Sequence, residues 1–206
     1  MLSPRLFVAA SLATQADAMT SHYVDITVEP GPEFSAAQLL GALYDRVHLA
    51  LVQQQHNDIG VSFPGYGLQP RTLGTTLRLH GSEVALHRLL ELDWLRGMRD
   101  HAVIAPIATA PNDALHRTVQ RRQFKTSAER LRRRRARRKG ETAEQATQAI
   151  PSSVERQPDL PYACLRSRST GQRYCLFIAL GPLMTDAAYG SFNSHGLSGT
   201  TTVPWF

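Results

Sequence analysis

Apolar and polar residues alternate from His22 to Glu29, and this pattern predicts a half-buried strand that ends at Pro30. The next segment, from about Ser35 to Gln54, places apolar residues three or four apart, which is the spacing of an amphipathic helix. Short apolar stretches then predict three more strands and one more helix. In chain order these are a strand at Ile59–Phe63, a strand at Thr75–His80, a helix capped by Ser82 and a strand at Val103–Ala108.

The predicted order of strand, helix, strand, strand, helix, strand extends from about Thr20 to Thr109. This is the order of a ferredoxin-like domain, in which two helices cover one face of a four-stranded antiparallel sheet. We therefore assign the chain to the α+β class, with a ferredoxin-like domain at 19–113 and a smaller α/β domain at 114–206. The fold alone says little about function, because many activities share it.

The second domain is predicted to contain an arginine-rich helix and a β-hairpin. The helix extends from about residue 127 to 139, with Ser127 as its N-cap and Gly140 at its end. A short strand is predicted before this helix and a short helix after it. These two elements are Leu115–Phe124 and Glu141–Ile150, and the arms of the hairpin are Tyr162–Arg168 and Arg173–Leu180.

The distribution of charge gives the strongest functional signal. The 206 residues have a net charge of +6, yet residues 116–139 contain twelve arginines or lysines and one acidic residue, so the rest of the chain is mildly acidic. Six of the seven residues from Arg132 to Arg138 are arginine. Such a segment favours a polyanionic partner, and a nucleic-acid backbone fits best. A solvated basic segment or a patch for an acidic protein is the alternative.

The first 18 residues allow two interpretations. Arg5, the apolar run after it and Ala16-Asp17-Ala18 imitate a secretory signal peptide. The alternative is that the segment is non-native or over-extended and that Met19 is the true first residue. The RNA-binding charge pattern favours Met19, and with it a cytoplasmic protein.

Composition excludes several classes of protein. Two cysteines are too few for a disulfide scaffold and cannot by themselves complete a four-ligand zinc site. The sequence has no apolar run long enough to span a membrane and no glycine-rich phosphate loop. Cys164 and Cys175 fall on opposite arms of the predicted hairpin, where a suitable register would allow a disulfide. We expect buried free thiols instead.

A few side chains suggest RNA chemistry. His48 lies beside the apolar stripe of the first helix, where a histidine is often structural. Ser167 and Ser169 share one face of a strand, and together with His48 and His195 they could form a metal-free site that activates a ribose 2′-hydroxyl. Arg121 and Gln123 would share a face of a strand and could read bases, although without other evidence ordinary surface polarity is the favoured interpretation.

Several motifs, taken together, resemble the Csy-type endoribonucleases that process CRISPR repeats in subtype I-F. They are HYVDITVEPGPEFSAAQL, IGVSFP, ERLRRRRARR, LRSRSTGQRY, FNSHGLS and the terminal VPWF. The resemblance covers nearly the whole length from Met19. It implies an enzyme that cuts the precursor transcript at the 3′ base of each repeat stem-loop and stays on its product, within a crRNA-guided surveillance complex.

The resemblance also implies roles for individual residues. His48 would be the catalytic histidine, Ser167 would hold the ribose and Ser169 would support it. The residues implied to bind RNA are Arg121 and Gln123 for bases, Arg133, Arg134, Arg137 and Arg138 for phosphates, and Tyr174 for stacking on the last base pair. Two positions depart from the family pattern, because His195 replaces a tyrosine and Lys139 replaces a histidine.

The expected reaction needs no metal or other cofactor. Ser167 would hold the 2′-oxygen toward the phosphate, and His48 would remove the 2′ proton, which leaves a 2′,3′-cyclic phosphate and a 5′-hydroxyl. The alternative function is a non-catalytic subunit that binds the RNA hairpin.

Overall fold

The alternating pattern of the first strand decides which face of the main sheet is buried. In the computed structural model, β1 (His22–Val28) buries every second side chain. It pairs with β5 (Thr76–Gly81) along one edge and with the short strands β6 (Ala102–Ile104) and β7 (Ala108–Thr109) along the other. β2 (Gly60–Ser62) pairs with β5, so the strand order is β2-β5-β1-β6, and every pairing is antiparallel.

The structure describes residues 20–123, 127–154, 159–168 and 170–206. The chain forms two compact units, one of residues up to Arg121 together with Leu160–Phe206, and one of Arg122–Asp159. The described residues form four α-helices and several antiparallel sheets, so the chain is a mixed α and β protein. In that part of the chain no helix is both long and apolar enough to cross a membrane.

Two capped helices pack against the main sheet. α1 (Ala36–Gln54) begins with a capping box, in which the Ser35 N–H donates to Gln38 Oε1 at 2.9 Å while Ser35 Oγ accepts from the Gln38 N–H. α2 (Glu83–Leu90) is capped by Ser82, whose Oγ accepts from the Ala85 N–H at 3.2 Å. Both helices contact β1 and β5, and their buried side chains form one core with the sheet.

A predicted hairpin lies against α1. Its strands, β10 (Tyr162–Arg166) and β11 (Arg173–Leu180), are antiparallel, and β9 (Val119–Arg122) pairs with β11. Gly41 permits a close approach, because a Cβ atom at this position would lie 2.8 Å from the backbone oxygen of Cys164 on β10. The hairpin prediction is therefore confirmed, and its backbone touches the backbone of α1.

Two smaller pairs of strands complete the first unit. β3 (Gly67–Leu68) pairs with β4 (Arg71–Thr72), and β8 (Leu115–Arg117) pairs with β12 (Val203–Trp205). Val203 is buried beside β2. The last strand is thus part of the core.

The second unit contains the arginine-rich helix. This helix, α3 (Ala128–Lys139), begins at Ser127, whose Oγ accepts from the Arg130 N–H at 3.3 Å, and it ends at Gly140 in the left-handed conformation. α4 (Ala143–Ala149) follows, capped by Thr142, and packs against α3. Both predicted helices are confirmed.

Three sequence predictions need correction. The strand predicted at Val103–Ala108 is split into β6 and β7, because Pro106 lies between them and has no N–H to donate to a sheet. The strand predicted at Leu115–Phe124 is likewise divided into β8 and β9, which belong to different sheets, and residue 124 lies outside the described residues. The two cysteines are free, as expected, but both are exposed rather than buried, because their side of the hairpin faces away from the core.

Candidate functional site

His48 is held in one orientation by a backbone carbonyl. It lies on the half-buried side of α1, and its Nδ1 is 2.6 Å from the backbone oxygen of Ser194. Because a carbonyl oxygen only accepts, the hydrogen bond places a proton on Nδ1. In the neutral ring, Nε2 then has the free lone pair and can accept a proton.

His195 stacks on His48. The two imidazole rings are almost parallel, with centroids 3.8 Å apart and an interplanar angle of 13°. Burial, the neighbouring His48 and the charge of Arg121 lower the pKa of His195 to about 4. His195 is therefore a neutral ring at physiological pH. The Tyr174 hydroxyl lies 3.3 Å from His195 Nε2, so it can donate a hydrogen bond to this nitrogen.

A tight turn fixes the backbone around these rings. Asn193 Oδ1 accepts hydrogen bonds from the His195 N–H at 2.8 Å and from the Leu197 N–H at 3.2 Å. Gly196 has a φ of 69°, and a Cβ atom at this position would collide with Val61. The turn therefore requires glycine, and it presents the Ser194 carbonyl to His48.

A buried tyrosine supports the same turn from the core. Tyr44 lies on α1 one turn before His48 and is fully buried. Its hydroxyl donates to the backbone oxygen of His195 at 2.8 Å. Burial raises the pKa of Tyr44 well above its ordinary value, so the hydroxyl remains a donor. α1 therefore both carries His48 and anchors the turn that orients it.

An open cleft is lined by two of the four predicted catalytic side chains, His48 and Ser167. It has a volume of about 430 Å³. The residues that line it are His48, Arg121, Arg166, Ser167, Arg168 and Tyr174. His195 stacks on His48 at this site. Ser169, the supporting serine predicted from the sequence, lies outside the described residues.

Ser167 is positioned by the loop of the hairpin. Its backbone N–H donates to the Gln172 oxygen at 2.8 Å, and its backbone oxygen accepts from the Gly171 N–H at 2.8 Å. Ser167 Oγ accepts from the Thr170 N–H at 3.3 Å. A hydroxyl that accepts from a backbone N–H can still donate its own hydrogen to a ligand oxygen.

Arg121 and Gln123 lie at the end of β9. Arg121 is within the strand, and its guanidinium lies 5.9 Å from the centroid of the Tyr174 ring. Gln123 follows one residue after the strand ends at Arg122, and it is exposed. Whether the two side chains share a face, as the sequence predicts, stays a prediction.

The arginines of α3 divide into two groups. Arg132 and Arg135 are half-buried and hold the second unit together. Arg132 donates to the Ile150 oxygen at 2.8 Å, and Arg135 pairs with Glu141 at 2.7 Å. The exposed group lines an open space of about 870 Å³ beside the helix. This group consists of Arg130, Arg133, Arg134, Arg137 and Arg138.

The exposed group carries positive charge on the side of α3 that lines the open space. Arg133 lies 3.2 Å from Glu129, an exposed pair on the same helix that contributes little stability. Lys139 is exposed at the end of the helix. The four arginines predicted to bind phosphate all belong to this group, whereas Arg132 and Arg135 do not.

Sequence reasoning missed some residues of the cleft. Arg166 and Arg168 flank Ser167 and line the cleft, and their positions in LRSRSTGQRY are the signal that could have identified them. Asn193 and Ser194 lie in the motif FNSHGLS, but residue types alone do not show that the Ser194 carbonyl contacts His48 or that Asn193 holds the turn, because both roles depend on backbone geometry. Among the described residues, no group of three or more His, Cys, Asp or Glu side chains is arranged to hold a metal ion.

Comparison with known proteins identifies the family. The family model for CRISPR-associated protein (Cas_Csy4) matches residues 23–206. The chain is 46% identical over 185 residues to the CRISPR-associated endonuclease Cas6/Csy4 of Pseudomonas aeruginosa (strain UCBPP-PA14), across 90% of this chain and 99% of that protein. It is 40% identical, with the same coverage, to the protein of that name from Escherichia coli (strain UTI89 / UPEC). The resemblance found in the sequence is confirmed, and the chain belongs to the Cas_Csy4 family of CRISPR-associated proteins.

Proposed function

We propose that the protein is a metal-independent endoribonuclease that binds the stem-loop of CRISPR repeat RNA. It cleaves at the 3′ base of the stem and stays bound to the mature crRNA. The observation that carries this proposal is the cleft that contains His48, Ser167, Arg121 and Tyr174. The name of the relatives, CRISPR-associated endonuclease, supports the same activity.

In the proposed reaction the substrate supplies its own nucleophile. Ser167 hydrogen-bonds the ribose and holds the 2′-oxygen toward the adjacent phosphorus. His48 accepts the 2′ proton at Nε2, the nitrogen that the Ser194 contact leaves without a hydrogen. The 2′-oxygen then bonds to phosphorus as the bond to the 5′-oxygen breaks. The 5′-oxygen takes a proton from water, and the hydroxide that remains takes the proton from His48. The products are a 2′,3′-cyclic phosphate and a 5′-hydroxyl, and His48 is again neutral.

His195 acts in this proposal as a positioning residue. Its neutral ring stacks flat on His48 and adds no charge of its own at neutral pH. A protonated neighbour would oppose the protonation of His48 during proton transfer, whereas a neutral ring does not. His195 therefore places a flat ring where the family pattern has a tyrosine. Ser169 is proposed to support Ser167.

Substrate affinity is proposed to come mainly from phosphate contacts of α3. Guanidinium groups bind phosphate through paired donors, and Arg133, Arg134, Arg137 and Arg138 are exposed. Lys139 adds one more cation at the end of the helix. Arg121 and Gln123 are proposed to read bases, and Tyr174 to stack on the last base pair. Tight binding of the stem explains why the product would be retained.

The finer structural predictions enter this proposal as well. The strand order β2-β5-β1-β6, with two helices packed on the sheet, supports a ferredoxin-like arrangement for the domain at 19–113. The domain at 114–206 is proposed to bind the RNA. As the partners of the bound product we propose the other subunits of the type I-F crRNA-guided surveillance complex.

The decisive experiment is cleavage of repeat RNA in excess EDTA. A matching substrate carries a single 2′-deoxy nucleotide on the 5′ side of the cut. We expect the all-RNA hairpin to be cleaved and the deoxy hairpin to bind without cleavage, because only the former has the nucleophile. Cleavage of the deoxy hairpin, or activity that appears only after magnesium is added, would contradict the proposal.

His48→Ala is the matching protein variant. We expect it to slow cleavage by about 10²–10⁴-fold, the usual contribution of a general base, while hairpin binding stays near normal. His56→Ala changes an exposed histidine outside the cleft and serves as control. If the unaltered protein binds the hairpin but never cleaves it, the protein is the non-catalytic subunit instead.

A further inference from the structure

Cys164 and Cys175 face each other across the hairpin. Cys164 lies on β10 and Cys175 on β11, and the register places them directly opposite. Both are free thiols and both are exposed. The family chemistry proposed above uses neither of them.

The hydrogen-bond pattern of the hairpin shows which kind of pair they form. The Ser167 N–H donates to the Gln172 oxygen at 2.8 Å, and the Ile178 N–H donates to the Pro161 oxygen at 3.0 Å. Hydrogen-bonded and non-hydrogen-bonded pairs alternate along an antiparallel ladder. Cys164 lies three residues from both Pro161 and Ser167, so the cysteine pair is non-hydrogen-bonded.

This class of pair has a geometry that suits a disulfide. Opposed Cα atoms in non-hydrogen-bonded pairs are about 4.5 Å apart, closer than in hydrogen-bonded pairs. Disulfides bridge Cα separations of about 4.4–6.8 Å, so the bond could form without moving the strands.

The structure therefore carries a modification site, and we propose that Cys164 and Cys175 form a reversible cross-strand disulfide by exchange with a small-molecule disulfide such as oxidised glutathione. One cysteine thiolate attacks the glutathione disulfide, forms a mixed disulfide and releases one glutathione thiolate. The second cysteine attacks the protein sulfur of that mixed disulfide and releases the other glutathione. The cysteines are oxidised to one disulfide, the glutathione disulfide is reduced to two thiols, and both cysteine protons go to the released glutathiones.

The pH dependence of this exchange follows from the surroundings of Cys175. Partial burial, followed by the neighbouring Cys164 thiol, raises the pKa of Cys175. The reactive species is the thiolate, so oxidation accelerates as the pH rises. Arg166 and Arg173, the next opposed pair on the same face, hold positive charge beside the site.

The disulfide would close a ring around the hairpin loop. The ring runs from Cys164 to Cys175 and includes Ser167 and Tyr174. A cross-link at this place restricts the opening of the loop. The inference stands on the hairpin alone and does not depend on the proposed function.

The test is oxidation of the intact protein with oxidised glutathione, followed by mass spectrometry and thiol counting. We expect both thiols to disappear together, the monomer to become lighter by two hydrogen atoms, and dithiothreitol to reverse the change. Cys164→Ser and Cys175→Ser are matched variants, each with one thiol. We expect each of them to stop at a mixed disulfide with one bound glutathione.

Two outcomes would overturn the inference. One is a stable glutathione adduct on the unaltered protein, and the other is a pair of thiols that survives conditions in which both single-cysteine variants are fully modified. Hydrogen exchange supplies an independent readout. We expect the amides of Ser167, Arg168 and residues 170–172 to exchange several-fold more slowly in the oxidised protein, and equal rates would refute the restriction of the loop.

Discussion

A methyl group at position 41 should separate His48 from Ser167, which line the same cleft. Gly41 lies on α1 two turns before His48, and an added Cβ atom would lie 2.8 Å from the backbone oxygen of Cys164. An ordinary contact begins at 3.4 Å, so α1 and β10 would have to move apart by about 0.6 Å. Ser167 follows β10 directly, so this shift pulls it away from His48.

Two opposing effects set the magnitude for Gly41→Ala. Alanine favours the helix over glycine by about 1 kcal/mol, whereas overpacking against a backbone atom costs about 1–3 kcal/mol. We expect a net loss of about 1 kcal/mol in the free energy of unfolding. Misplacement of reacting groups by about 1 Å costs about 10²-fold in rate, so a smaller shift should slow cleavage about tenfold.

Urea unfolding and single-turnover cleavage at saturating protein measure the two effects separately. Gly31→Ala is the control, because nothing lies within 4 Å of a Cβ atom at that position. A Gly41→Ala protein that is more stable than the parent and cleaves at the same rate would show that the contact between α1 and β10 is not tight. The reasoning that links Gly41 to the cleft would then be wrong.

Three further predictions use other contacts. Tyr44→Phe removes the hydroxyl that donates to the His195 carbonyl. The free energy of unfolding should therefore fall by about 1–2 kcal/mol and the rate of cleavage should fall several-fold. Unchanged urea midpoints would contradict this prediction. Burial lowers the pKa of His80 from 6.5 to about 3. Below pH 6.5 the unfolded state therefore binds a proton that the folded state does not. As the pH falls, the free energy of unfolding should then fall by up to about 1.4 kcal/mol per pH unit. His80→Gln should flatten this slope between pH 6.5 and 5 in urea titrations, and a slope equal to that of the parent would exclude His80 as its cause. Arg134→Ala should reduce the salt dependence of hairpin binding by about one counterion, whereas Gln123→Ala should change base preference; equal salt slopes and equal base preferences in titrations of matched and base-swapped hairpins would refute the division.

The local elements of this chain could be predicted because each has a strong local signal. The long stripe of α1, the turn residues of the hairpin and the cap at Ser127 each act within a few residues. Pro106 has no backbone N–H to donate to a sheet, so the sequence already indicated a break at this residue, although the sequence prediction treated Val103–Ala108 as one strand. Local chemistry therefore gave the correct element types and less accurate bounds.

The geometry of the site could be predicted only in part. His48 and Ser167 were identified by their residue types and by the family motifs, and the structure lines one cleft with both. The contact of His48 with the Ser194 carbonyl joins residues 146 positions apart, and a carbonyl has no signature in a sequence. The sequence does not distinguish the arginines of α3 from one another, but the structure pairs Arg135 with Glu141.

The residues that line the cleft and the arginines of α3 come from separate parts of the chain. The chain leaves the first unit at Arg121 and returns to it at Leu160, so Arg122–Asp159 form an insertion within a discontinuous first unit. Every residue that lines the cleft comes from before or after this insertion, whereas all the arginines of α3 lie within it. In evolutionary terms, the insertion and the residues that line the cleft can diverge independently of each other. A graft of Arg122–Asp159 between relatives would exchange the cationic helix without changing one residue that lines the cleft.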